Sequence, residues 1–268
     1  MARKRRVDSA GFVFHVLNRR AGRSRLFSSP GDYAAFEKVL AEAAARFPGM
    51  RLLAYCLMPT HWHLVLWPRQ AGVLSRYMQW LTTTHMRRWH ARRNSIGTGP
   101  VYQGRFKSFP VQADEHLRTA CRYVERNPLR AGLVKGSARR WRWSSAAPRA
   151  PKDGPAMGRA ADERAADERP WLLPRDQWPA DSRPDWAEWV DAPQTPAEEK
   201  AALAALRHSL ARGAPYGDDR WARAAGEKLG LQSSLNPIGR PRRLPGTTPP
   251  RRANHAPRRQ QKTTRPRK

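Results

Sequence analysis

Between Arg51 and Trp67 the chain reads RLLAYCLMPTHWHLVLW, two β-rich runs separated by Pro59-Thr60. Two such runs joined by so short a turn are expected to pair as an antiparallel hairpin. The second run carries His61-Trp62-His63. Side chains alternate faces along a strand, so both imidazoles emerge together and could grip one cation, while Trp62 points into the opposite layer. A His-x-His pair is structural in many proteins, and the spacing alone leaves that alternative open.

Working outward, Gly11 to Leu17 (GFVFHVL) is an apolar strand run, followed by a basic, turn-rich stretch from Arg19 to Arg25. Pro30 to Phe47 has helical periodicity: Phe36, Val39, Leu40, Ala43 and Phe47 share a face, Asp32 is the expected N-cap, and Pro48-Gly49 is the stop. Past the hairpin, Val73 to His90 repeats the pattern with Leu74, Tyr77, Met78, Leu81, His85 and Trp89. Arg87, Arg88, Arg92 and Arg93 collect on the other face toward its end. Arg105 to Val111 is a fourth strand, and Glu115 to Arg126 a third helix ended by Asn127-Pro128. The order strand, helix, strand, strand, helix, strand is that of an α+β ferredoxin-like sandwich, an antiparallel sheet with helices on one face and the other face left open.

Tyr123 and Asn127 are four residues apart, so a phenol and an amide look out from one side of the third helix. Each has a bland reading, a core tyrosine and a cap before proline. Joined to the histidine pair, they supply what metal-assisted attack on a phosphodiester requires: a phenol nucleophile, two imidazoles and an amide oxygen.

Composition narrows the partner. The 268 residues hold 51 Lys plus Arg against 22 Asp plus Glu, a formal net charge of +29. By segment the charge is +21 over residues 1–150, −3 over 151–236 and +11 over 237–268, so two separate parts are built to meet a polyanion, nucleic acid by default. No apolar run approaches the roughly 20 residues of a membrane span, and the basic start lacks the apolar core of a secretory signal. Cys56 and Cys121 lie far apart with no CxxC pair, which excludes a disulfide framework and a multi-thiolate zinc site. A cytoplasmic, nucleoid-associated protein is expected. Four parts follow: a domain over residues 1–145, an Ala/Pro/Asp/Arg-rich linker over 146–169 with the duplication AADERAADER, a helical appendage over 170–236 with helices at Pro196 to Arg212 and Asp218 to Leu229, and a disordered basic arm over 237–268 with seven prolines and no acid.

CLMPTHWHLVLWP resembles the His-hydrophobic-His box of single-tyrosine HUH transposases, and YVERNPLRAGLV resembles the nucleophile helix of their REP-associated branch. Gly11 to Arg20, VYQGRFKSFPV, Trp141 to Ser145 and RGAPYGDDRWARAAGEKLGLQSSLNPIGRPRR also read like that branch, so the likeness covers residues 1–145 and about 170–243. The resemblance implies a metal-dependent single-stranded DNA endonuclease and strand transferase that cleaves and rejoins REP-type hairpins. Tyr123 would be the nucleophile, with His61, His63 and the Asn127 amide oxygen holding Mg2+ or Mn2+; two imidazoles alone would suit zinc as well. The product would be a 5′-phosphotyrosine. Candidate DNA contacts are Arg19, Arg20, Arg23 and Arg25 after the first strand, Arg87, Arg88, Arg92 and Arg93 on the second helix, and Arg240, Arg242 and Arg243 in GRPRR, which resembles a minor-groove arm. Monomer and homodimer both remain open. The rival reading is a non-catalytic binder of structured DNA or RNA.

Overall fold

In a computed structural model of the protein, residues 8–148 and 169–236 are described. Strands β1 (Val13–Arg19), β2 (Met50–Met58), β3 (His61–Pro68) and β4 (Lys107–Val111) form one antiparallel sheet in the order β2-β3-β1-β4. Helix α1 (Pro30–Arg46) connects β1 to β2, and α2 (Val73–Arg92) connects β3 to β4. This is the expected ferredoxin-like order, with both crossover helices on one face. Phe14, Val16, Trp62, Leu64 and Leu66 point into that face, where Phe36, Leu40, Tyr77 and Leu81 of the two helices meet them in one buried cluster.

The opposite face is not open. Helix α3 (Glu115–Glu125) lies across it and buries Leu117, Ala120, Cys121 and Val124 against Val13, Ala54, Cys56, Val65 and Phe109. The reason lies in the strands: between Ala54 and Met58 and between His63 and Trp67 both faces are largely apolar, so a sheet wet on one side would strand about half of that surface in water. The short helix α4 (Asn127–Arg130) follows directly, and Pro128 falls in its first turn, where its missing N–H costs nothing.

Residues 169–236 add helices α5 (Trp186–Asp191), α6 (Pro196–Arg212), α7 (Asp219–Leu229) and α8 (Gln232–Leu235). The helices expected from the pattern at Pro196 and Asp218 are there, and Asp218 is the N-cap of α7, accepting from the Trp221 N–H at 2.8 Å. Together with Trp143 and Ser145, this region also closes both edges of the sheet. The β2 edge meets Trp143, Ser145 and Leu173 through backbone hydrogen bonds, and the β4 edge meets Tyr216, whose N–H donates to the Pro110 carbonyl at 2.8 Å. Covered edges cannot recruit strands from other chains.

At the start of α1 the cap is Ser29, one turn earlier than expected. Asp32 sits at the third helical position and accepts from the backbone N–H groups of Ser28 and Ser29 at 2.8 and 3.1 Å, the reciprocal half of a capping box. No described helix is long and apolar enough to cross a membrane.

Candidate active site

The hairpin register fixes both histidines. On β3, His61 stands between Arg19 of β1 and Met58 of β2, and His63 stands between Leu17 and Cys56. Alternation places both on the face that α3 covers and sends Trp62 to the other layer, where its indole donates to the Tyr102 hydroxyl at 3.2 Å. The apolar side of α3 is what sets Tyr123 down on this face. With Leu117, Ala120, Cys121 and Val124 buried, Tyr123 falls at the margin of the contact, half-buried.

The three side chains meet. The ring centroids of His61 and His63 are 5.0 Å apart, and the Tyr123 ring stands edge-on to His63 at 5.8 Å. All three line one cavity of about 450 Å3, whose walls also carry Arg19, Arg105 and Lys107 and no carboxylate among the described residues. A phosphodiester entering it meets only neutral or positive groups.

The ring nitrogens are divided between two tasks. Nδ1 of His61 lies 2.9 Å from the Thr60 hydroxyl, and Nδ1 of His63 lies 2.9 Å from Nε2 of His15 on β1. That leaves both Nε2 atoms without a hydrogen-bond partner among the described residues. Burial pushes His61 down to about 4, with the charges of Arg19 and Arg130 adding to it. His63 is held well below its ordinary value by burial first and then by His61, His15, Arg130 and Arg19. Both imidazoles are therefore neutral at physiological pH, the form that binds a cation. No set of three His, Cys, Asp or Glu side chains converges as a cation site among the described residues. A divalent ion would fit as the partner of two neutral imidazole nitrogens, with its other positions filled by neutral or substrate oxygens.

Asn127 stands one step back. Its side chain is buried, its Oδ1 accepts from the Arg130 guanidinium at 2.6 Å, and it is not among the residues that line the cavity. Arg130 also lies over the Tyr123 ring, 4.3 Å from its centroid. The structure thus brings His61, His63 and Tyr123 together directly and Asn127 only through Arg130.

Residues 9–127 match the family model described as "Transposase IS200 like". Over that segment, somewhat less than half of its length, the chain is similar to IS200-like transposases. No curated protein matches the chain. Among solved structures, a REP-associated tyrosine transposase bound to a REP hairpin is 20% identical, covering 54% of this chain and 82% of its own at a TM-score of 0.44. A candidate transposase from Deinococcus radiodurans R1 is 19% identical, covering 44% and 90% at a TM-score of 0.32.

The arginines singled out in the sequence divide by their partners. Arg19 is exposed at the mouth of the cavity, Arg25 and Arg87 are exposed elsewhere, and Arg92, also exposed, lies 3.7 Å from Asp32. Arg20 instead donates to the Pro100 and Val101 carbonyls at 3.3 and 3.1 Å and lies over Trp89. Arg88 grips Glu42 with two hydrogen bonds of 2.9 and 2.8 Å, and Arg93 bonds Asp32 at 2.7 Å. These three are engaged by partners within the chain. The side chain of Arg23, and Arg240, Arg242 and Arg243, lie outside the described residues, as do most of the expected linker and the expected basic arm.

The sequence pattern did not single out His15, Arg105, Lys107 or Arg130. A histidine inside the apolar run GFVFHVL was the available signal for the first. What a single chain does not display is the register that sets β1 beside β3, or the short helix that swings Arg130 back over Tyr123.

Proposed function

We propose that this protein is a transposase that cleaves and rejoins single-stranded DNA at the foot of a REP-type hairpin through a covalent bond to Tyr123. The observation that carries the reading is the shared cavity: a half-buried phenol, two neutral imidazoles with free Nε2 atoms, and basic walls. The REP hairpin as substrate rests on the likeness of YVERNPLRAGLV and its neighbours to that branch.

Arg19, Arg105 and Lys107 would bind the phosphate on either side of the scissile bond and orient it toward Tyr123. The Tyr123 oxygen attacks phosphorus, the P–O3′ bond breaks, and the products are a 5′-phosphotyrosine and a free 3′-hydroxyl. The reverse attack by a 3′-hydroxyl joins strands and releases the phenol, so one phosphodiester is exchanged for another without an external energy source. A divalent ion, Mg2+ or Mn2+, held by His61 and His63 would polarise the phosphoryl group. His61 and His63 would hold that ion beside Tyr123, and Asn127 would join them once Arg130 lets go of its Oδ1. Arg130 packed over the ring keeps the phenol directed along the cavity wall. The reaction belongs in the cytoplasm, at the nucleoid, where the DNA is.

A hairpin oligonucleotide labelled on the 3′ side of the scissile phosphate tests this. The expected result is a denaturation-resistant protein–DNA adduct that disappears on Tyr123→Phe and on chelation. Retardation of an intact oligonucleotide would point instead to a non-catalytic binder, and cleavage surviving Tyr123→Phe to a hydrolase.

A further inference from the structure

We infer that His15 is a positioning residue for the cation site, acting through His63. This rests on the reading of His61 and His63 as cation ligands and adds to it a residue that touches neither cation nor DNA. His15 is 1% exposed, on the β1 strand next to β3, and its ring stacks on that of His63 with centroids 5.1 Å apart and a 26° angle between planes. Its Nε2 lies 2.9 Å from Nδ1 of His63, in a bond closed to solvent on both sides. No other acceptor is within reach of that Nδ1 among the described residues.

The consequence follows from the chemistry of imidazole. A neutral ring has one N–H and one lone pair. A cation on Nε2 of His63 takes its lone pair, so the single proton must sit on Nδ1 and needs an acceptor. His15 Nε2 is that acceptor, which requires His15 to be neutral with its own proton on Nδ1. In either tautomer His15 Nδ1 stays buried without a hydrogen-bond partner, a cost that packing alone does not account for. A fully buried strand residue serving only to pack would do better as leucine or phenylalanine, which leave no polar atom unpaired. Thr60 performs the same office for His61 from the hairpin turn, its hydroxyl facing Nδ1 at 2.9 Å. Both imidazoles are thereby turned so that Nε2 faces the cavity.

The test compares Mn2+ binding, by calorimetry, to the wild type, His15→Leu and His15→Gln, with melting temperatures of the metal-free proteins. Leucine removes the acceptor, and glutamine returns an amide oxygen close to the place of Nε2. The expected outcome is a loss of about 10- to 100-fold in Mn2+ affinity for His15→Leu, recovery of most of it in His15→Gln, and no drop in melting temperature that parallels the loss. A purely structural His15 would show the opposite split, with affinity tracking stability in both variants. In the wild type, nitrogen-15 spectra of the imidazoles saturated with diamagnetic Mg2+ or Zn2+ should place the protons of both His15 and His63 on Nδ1, a reading that needs no variant. A proton on Nε2 of His15 in that state, or equal Mn2+ affinity in His15→Leu and wild type, overturns the role of His15 alone. Failure of the wild type to bind any of these ions removes the cation reading itself and His15 with it.

Discussion

His85 shows what burial does to a single side chain here. It is 4% exposed in the face of α2, its Nδ1 lies 2.6 Å from the Tyr102 hydroxyl, and burial pushes it down to about 3. His15 is pushed down to about 3 and His61 to about 4 for the same reason. In the unfolded chain each returns to 6.5. As pH falls from 6.5 toward 4, the unfolded chain takes up protons that the folded one refuses, so stability is full above 6.5 and is lost through that window. The slope is about 1.4 kcal/mol per pH unit for each such histidine. Melting temperatures at pH 7.5, 6 and 5 should therefore fall in order, and a flat profile between 6.5 and 5 would show that these histidines are charged in the fold. At this scale the sequence displayed His61, His63 and Tyr123 because two local periods, the alternation of a strand and the turn of a helix, place them. It did not display the Arg130 bond to Asn127, because that depends on how the chain turns after Pro128. Asp32 is an intermediate case: the acid at the start of α1 was visible, but a capping box divides its work between two residues, and Ser29 takes the cap.

At the scale of elements, α3 matters more than its length implies, since it both closes the second face of the sheet and carries Tyr123 to the histidines. Leu117 is fully buried in that contact. Leu117→Ala should lower stability by about 2–5 kcal/mol, read by denaturant unfolding, and should weaken adduct formation more than it weakens hairpin binding, because the nucleophile loses its seat and the basic walls stay. Equal losses of both would mean that α3 does not position the tyrosine. The four strands, α1, α2 and their order were legible, since each carries a clean hydrophobic period. The placement of α3 was not, because its sequence states that it has an apolar face but not which side of the sheet that face meets.

Across the whole molecule, residues 169–236 are tied into the sheet by a buried charge. Glu125, at the end of α3 and fully buried, accepts from Ser145 at 2.6 Å, from the indole of Trp186 at 2.7 Å and from Arg175 at 3.2 Å. Glu125→Ala should cost about 2–5 kcal/mol, because the buried Ser145 hydroxyl and Trp186 indole lose their acceptor along with the part-exposed Arg175, and the change should appear as a lower denaturation midpoint. The surface charge carries a separate expectation. Under the proposed reading, exposed Arg19, Arg105 and Lys107 at the cavity would be the phosphate contacts, whereas Arg88 is held by Glu42. Hairpin affinity should fall steeply with salt, and Arg105→Ala should reduce the slope of log affinity against log salt by about one unit, while Arg88→Ala leaves the slope unchanged. The +29 balance pointed to a polyanion partner but could not sort these arginines, because a paired and an unpaired surface arginine look alike in a composition.

The convergence of the β3 histidines and the α3 tyrosine is tested most directly by paramagnetic broadening. The protein labelled with 3-fluorotyrosine at its six tyrosines is titrated with Mn2+, and the Tyr123 signal is assigned by its loss in Tyr123→Phe. Stoichiometric Mn2+ should broaden the Tyr123 resonance first and most, and His63→Ala should abolish the effect. A Tyr123 signal that stays sharp while a tyrosine elsewhere broadens would contradict the account.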